Sequence, residues 1–336
     1  MLCSLLEESE AGTSSQPTAE SVPEDVPDVP TSEEAFKGSD FALFYHFTTA
    51  TAKLMASTSD AKSPFVQLIP ELAPQRPYLL HQVLAVAALH LSHLHPSQHN
   101  EYLRLASEHH SKALGLYRVA LQDEPPGDAV SLFGCSALFV NFYFALPGDP
   151  ASLLFNAETS GPPDWMYPIR GTRAIWLKNT KELTDGPMSG YVHAHTDPWK
   201  QVGAVRESPG SPAILEMREK LWIPPEDEYI FDHAIDELLR GYSVSFRGDP
   251  ESRKSAPVTF AANVTTGFLD RLGHQDQSAL VVMSFWCVLM HRVPLFAWLK
   301  NGKAAEMLEV IKAILTPKNL ELIYWPIQQI EESTAA

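Results

Sequence analysis

From residue 41 onward apolar side chains recur at three- and four-residue steps. Phe41, Phe44, Tyr45, Thr48, Thr51 and Met55 form the first such stripe, the spacing that keeps one face of an α-helix apolar. Ser39 stands where a hydroxyl caps a first turn. After the turn IPELAPQRP, Pro77 occupies a position that a helix accepts at its start. The run YLLHQVLAVAALHLSHL then continues to Pro96 and is apolar nearly all round, which predicts burial on several sides. A third helix, preceded by Ser97 as cap, places Tyr102, Leu105, Ala106, Ala113, Leu116, Tyr117 and Leu121 on its inner face. Glu124-Pro125-Pro126-Gly127 ends it, and Asp128 is the expected cap of a fourth, AVSLFGCSALFVNFYFAL. Asp164 opens a fifth, whose middle is weakened by Pro168 and Gly171.

Residues 184–213 are rich in Gly, Pro, Ser and His without a period, and are expected to form a surface loop. Helical patterning resumes at ILEMREKLW, breaks at Pro224-Pro225 and returns in EDEYIFDHAIDELLRGYSVSF. There Ile230, Phe231, Ala234, Ile235, Leu238, Leu239 and Tyr242 mark the buried stripe. The remaining third is helical throughout, and no segment combines period-two alternation with hairpin turn chemistry. The expectation is an all-α fold of stacked antiparallel helices. It spans residues 39–334, with a loop insert at about 184–213 and an acidic Ser/Pro-rich tail or linker at 1–38. That tail buries too little apolar surface to offset its ordering entropy.

The first 40 residues hold ten acidic side chains and one basic one, Lys37, so they account for more than half of the net charge of −16. A chain with 25 Lys and Arg against 41 Asp and Glu repels phosphate backbones, so direct nucleic-acid binding is not expected. Cys3, Cys135 and Cys287 are too far apart to form a zinc cage and read as buried small hydrophobes. Met1–Leu6 is a short apolar start followed by Glu7, Glu8 and Glu10, unlike a secretion signal. Of the uncharged runs, Gln277–Met290 is short for a bilayer, and Ala129–Gly148 has polar interruptions and no flanking basic residues. Neither is expected to span a membrane.

IPELAPQRPYLLHQVLAVAALHLSHL (residues 69–94) followed by HHSKALGLYRVALQ (109–122) resembles the regulatory domain of fungal zinc-cluster (Zn2Cys6) transcription factors. The similarity is greatest to the sterol uptake control branch. It continues at YPIRGTRAIW (167–176), at VVMSFWCVLMHRVPLFAWL and at LELIYWPIQQI, in the family's order, with 184–213 matched least. The family's DNA-binding module needs six cysteines beside a basic helix, and this sequence has neither. The resemblance therefore implies an effector domain only, in the nucleus or alternatively the cytoplasm. Such a domain would act through transcription machinery or a DNA-binding partner, or as a homodimer, in control of a metabolic or secondary-metabolite pathway.

The candidate site is aromatic. Phe285, Trp286, Met290, Phe296, Trp298 and Trp325 form one group, and Trp165 and Trp176 belong to a second. Large flat side chains with few charges can line a cavity for a sterol-like or polyketide-like molecule, or simply fill a core. Arg170, Arg173, His291 and Arg292 are candidates for its polar groups. No metal or cofactor is expected. His90 and His93 share a helical face without a carboxylate or thiolate, His109 and His110 diverge by about 100°, and His193-Ala-His195 falls in the expected loop. Nucleophile elbows, phosphate loops and paired acidic motifs are absent, so no catalytic residue is assigned. The enzymatic alternative is a reaction on a hydrophobic metabolite, such as a cyclisation, that needs mainly a shaped cavity.

Overall fold

A computed structural model of the protein describes residues 37–55, 63–123, 127–201, 207–247, 250–292 and 302–334. The described residues from Gly38 onward form one compact unit. Among them there are helices and turns but no strand, only an isolated bridge between Asn156 and Gly161. The fold is all-α, and no described helix is long and apolar enough to cross a membrane. The expected tail at 1–38 lies almost wholly outside the described residues.

The first half comprises α1 (Gly38–His46), α2 (Ala52–Met55), α3 (Leu68–Leu72), α4 (Pro77–Leu94), α5 (His99–Asp123) and α6 (Ala129–Ala145). Helix α4 starts at its proline and ends before Pro96, as the pattern requires, and it is buried on nearly every side. Its apolar surface is covered chiefly by α5, with α6 and α1 completing the enclosure. Two local expectations fail here. Phe41 and Tyr45 of the expected stripe face outward, each 70% exposed, whereas its Thr51 is buried and its Phe44 and Met55 are partly buried; Asp40, Leu43 and Phe47, outside the stripe, are buried. Asp40 Oδ1 lies 3.4 Å from His109 Nε2, and the helix continues through a wider π-helical turn at Phe47–Thr51. Asp128 does not cap α6 with its side chain. It is buried instead, paired with Arg76 Nε and accepting a 2.7 Å hydrogen bond from the Tyr78 hydroxyl.

The chain continues through α7 (Met166–Lys178), α8 (Thr180–Asp185) and α9 (Ser189–Gln201) to α10 (Ser211–Lys220) and α11 (Glu228–Arg247). Then follow α12 (Pro250–Asn263), α13 (Thr266–Gly273), α14 (Gln277–Arg292), α15 (Gly302–Ile314), α16 (Pro317–Leu320) and α17 (Tyr324–Thr334). Helix α9 corrects the loop expected at 184–213. Val192 and Trp199, seven residues apart and so on one helical face, are buried at 1% and 6% exposure and hold it against the body. Thr265 caps α13 by accepting from Phe268 N, and Asp276 caps α14 by accepting from Ser278 N and Ala279 N at 2.9 and 3.0 Å. Helix α14 is buried continuously from Ser278 to Met290. Each large apolar side chain so enclosed stabilises the fold by about 1.5–3 kcal/mol relative to exposure.

Two hydrophobic cores result. The first gathers α1 to α6, and the second gathers α10 to α17 around α14. Three helices contribute to both. Helix α6 gives Leu138 and Phe139 to the first and Val140 and Phe144 to the second, α7 gives Ile175 and Ile169, and α9 gives Val192 and Trp199.

Candidate functional site

A cavity of about 380 Å³ opens where these shared helices meet α12, within the size range of small-molecule sites. Its apolar lining comes from Met55, Phe65, from Phe133, Ala137 and Val140 of α6, and from Ile169 and Trp176 of α7. Tyr191 and Trp199 of α9 and Val258 and Ala262 of α12 continue it. The polar lining includes Asn141, Thr172, Arg173, Thr196, Lys200, Lys254, Ser255, Thr259 and Asn263.

Several of these polar groups are fixed by neighbours. Trp199 Nε1 donates to Ser255 Oγ at 2.9 Å, and the Arg240 guanidinium lies 5.4 Å over the Trp199 ring. Arg240 Nη1 donates to Glu237 Oε1 at 2.7 Å, and Asn263 Nδ2 donates to Glu237 Oε2 at 2.7 Å. The orientation of the Asn263 amide is thereby set, and its Oδ1 accepts from Arg173 Nε at 3.1 Å. Glu237, only 3% exposed, thus anchors a chain of hydrogen bonds that ends at the cavity wall. Burying a carboxylate in this way requires the charged and polar donors it has.

Of the eight aromatic and sulfur candidates, Trp176 lines this cavity. The structure places five of the others elsewhere. Trp165 stacks on Trp286 with ring centres 5.3 Å apart, and their indole N–H groups donate to Leu153 O and Pro257 O, both at 2.9 Å. Phe285 stacks on Trp325 at 5.8 Å, and Met290 is buried in the same second core. These five side chains fill space between helices. Phe296 and Trp298 lie outside the described residues. Among the polar candidates, Arg173 is at the cavity, whereas Arg170 Nη1 donates to Val264 O at 2.8 Å and Arg292 covers the Phe246 ring. Trp199, Ser255 and Asn263 were not singled out from sequence. The seven-residue spacing of Val192 and Trp199 was the available signal, obscured by the surrounding Gly, Pro and His residues.

Residues 42–152 match the fungal specific transcription factor domain. A Zn(2)-C6 fungal-type transcription factor of Gibberella zeae is 22% identical over 306 residues, covering 85% of this chain and 60% of that protein. Both findings support the fungal transcription factor family. The chain spans about three-fifths of that relative's length. The matched transcription factor domain contains the end of α1 and the whole of α2 to α6, hence most of the first core, and supplies the α6 wall of the cavity; the walls from α7, α9 and α12 lie beyond it.

A second cluster has all its histidines inside the matched segment. His46 Nε2 and His90 Nδ1 share a 3.1 Å hydrogen bond, and Thr51 Oγ1 is 3.0 Å from the same His90 nitrogen. His81 and His109 share another at 2.9 Å between their Nδ1 atoms, with Asp40 Oδ1 3.4 Å from His109 Nε2. His110 stacks on Phe142 at 4.0 Å, and its Nδ1 donates to Gln82 Oε1 at 3.1 Å. Burial lowers the pKa of His46, His90, His109 and His110, with His90 and His110 brought to about 4. Among the described residues no three His, Cys, Asp or Glu side chains converge as a metal site. His90 and His93 point to different partners, His93 bonding Leu89 O, and His193 is exposed on α9 rather than in a loop. Cys135 and Cys287 are buried, and burial pushes both thiols upward; Cys3 lies outside the described residues.

Proposed function

We propose that this chain is the effector part of a transcription regulator, acting in the nucleus by taking a small, largely apolar molecule into the cavity between its two cores. The single observation that carries the reading is the position of the cavity. Its walls come from α6, α7 and α9, the helices that feed side chains to both cores, so occupancy bears directly on how the cores pack together. A ligand shifts such an equilibrium only by its difference in affinity for the two packings, about 1.4 kcal/mol for each factor of ten. Burial of roughly 300 Å² of apolar ligand surface contributes about 7 kcal/mol before immobilisation costs, ample for a shift of that size.

Sterol-like and polyketide-like molecules are the ligand classes that the aromatic and aliphatic lining accommodates. The output would pass to transcription machinery or to a DNA-binding partner, with a homodimer as one such arrangement, in control of a metabolic pathway. The test is to tether the chain to a heterologous DNA-binding domain and read a reporter, with and without Ala262→Trp, which fills the cavity. The reading predicts reporter output that differs between the two fusions at equal protein level. Identical output from parent and A262W would overturn it.

A further inference from the structure

We infer that the ligand of this cavity is an amphipathic acid, an apolar body carrying one carboxylate that docks on Arg173 and Lys254. The inference rests on the reading of the cavity as a ligand site and adds the chemical class of the occupant. Acidic side chains outnumber basic ones 41 to 25 in this chain. The described cavity lining runs against that bias, with Arg173, Lys200 and Lys254 present and neither Asp nor Glu.

The charges around Arg173 explain why it remains available. It reaches Glu237 only through the Asn263 amide, and Glu237 is already paired with Arg240 at 2.7 Å. Asn263 therefore acts as a neutral spacer that aims the guanidinium and does not neutralise it. Arg173 spends Nε on Asn263, leaving its terminal nitrogens without a protein partner among the described residues. Those nitrogens form the fork that suits a carboxylate. Lys254, half-buried on α12, likewise has no hydrogen bond or ion pair among the described residues. These cations come from α7 and α12, whereas α6, Phe65 and Met55 supply no charged side chain to the lining. A largely apolar lining that carries basic side chains and no acidic one matches an apolar molecule that carries one negative charge.

The experiment titrates the whole chain with the fluorescent cis-parinaric acid and, separately, with its methyl ester, which has the same body without the charge. The acid is expected to bind at least tenfold more tightly than the ester. The double variant R173Q/K254Q, whose changes fall on partly exposed side chains and leave the fold intact by thermal melting, should lose that preference and keep its affinity for the ester. A262W should block both probes. Equal binding of acid and ester, or undiminished acid binding by R173Q/K254Q, overturns the carboxylate assignment while the cavity remains a ligand site. Failure of both probes to bind the parent chain, or unchanged binding by A262W, overturns the carboxylate assignment and the cavity reading together.

Discussion

The two cores are packed from different side chains, and each is vulnerable in its own way. In the first, α4 meets its neighbours through small aliphatic residues interleaved with buried polar groups: His81, Gln82, His90, Ser92, His109 and Asp128. The second is filled by large rings, with Trp165 on Trp286, Phe285 on Trp325, and Phe260 and Phe231 each set edge-on to Phe268. The buried histidines among the described residues all belong to the first core. Hydrogen-bonded polar groups specify which helix faces meet, because each mismatch leaves a buried donor or acceptor unsatisfied. Rings supply area and volume, so the second core depends on space being filled. The first core is therefore expected to respond to pH and the second to side-chain volume.

The largest expected effect tests the second half of that contrast. Trp286→Ala removes a ring that is 1% exposed and contacts Trp165 and Phe260. Urea unfolding should show a loss of about 3–5 kcal/mol, unchanged between pH 7 and pH 5. A loss below about 1 kcal/mol would show that the rings are loosely packed.

Acidification tests the first half. The unfolded chain protonates its histidines near pH 6.5, whereas burial keeps folded His90 and His110 neutral until about pH 4. His46 and His109 are displaced in the same direction, His109 despite the opposing charge of Asp40. Below pH 6.5 the unfolded state binds protons that the folded state refuses, so stability falls as pH drops through this window and levels off below about 4. Between pH 7 and about pH 5.5 the expected loss is roughly 1–3 kcal/mol. Hydrogen exchange should locate it in α1, α4 and α5, with α14 still protected; equal loss of protection in α14 would break the contrast.

A smaller effect is expected at Gly273, where an added Cβ would stand 2.6 Å from Ser160 O and from the Gly161 carbonyl carbon. Backbone cannot yield as a side-chain tip can, so Gly273→Ala should cost about 1–3 kcal/mol. Thermal melting measures it, and an unchanged midpoint would mean that the Ser160–Gly161 turn moves freely.

The all-α fold was legible because α4, α5, α11 and α14 carry long periodic runs between Pro, Gly and capping residues. What escaped was decided by tertiary pairing. Asp128 looks like a cap until Arg76 and Tyr78 arrive from 50 residues away or more. Phe41 and Tyr45 look like core until Asp40 is found facing His109. The cavity was legible only as a concentration of aromatic residues. Stacking and indole hydrogen bonds assign most of those rings to the second core, and the helix that closes the site, α9, lies where the composition suggested a loop. Arg173 was visible as a cation, but its availability depends on Asn263 standing between it and Glu237.

The central claim is that an occupant of the cavity acts on the helices shared by the two cores. Hydrogen exchange of the chain with and without saturating cis-parinaric acid tests it most directly. The account predicts added protection in α6, α7, α9 and α12, little change in α5 and α15, and none of it in A262W. Protection confined to helices that do not line the cavity, or an unchanged exchange pattern on saturation, would contradict it.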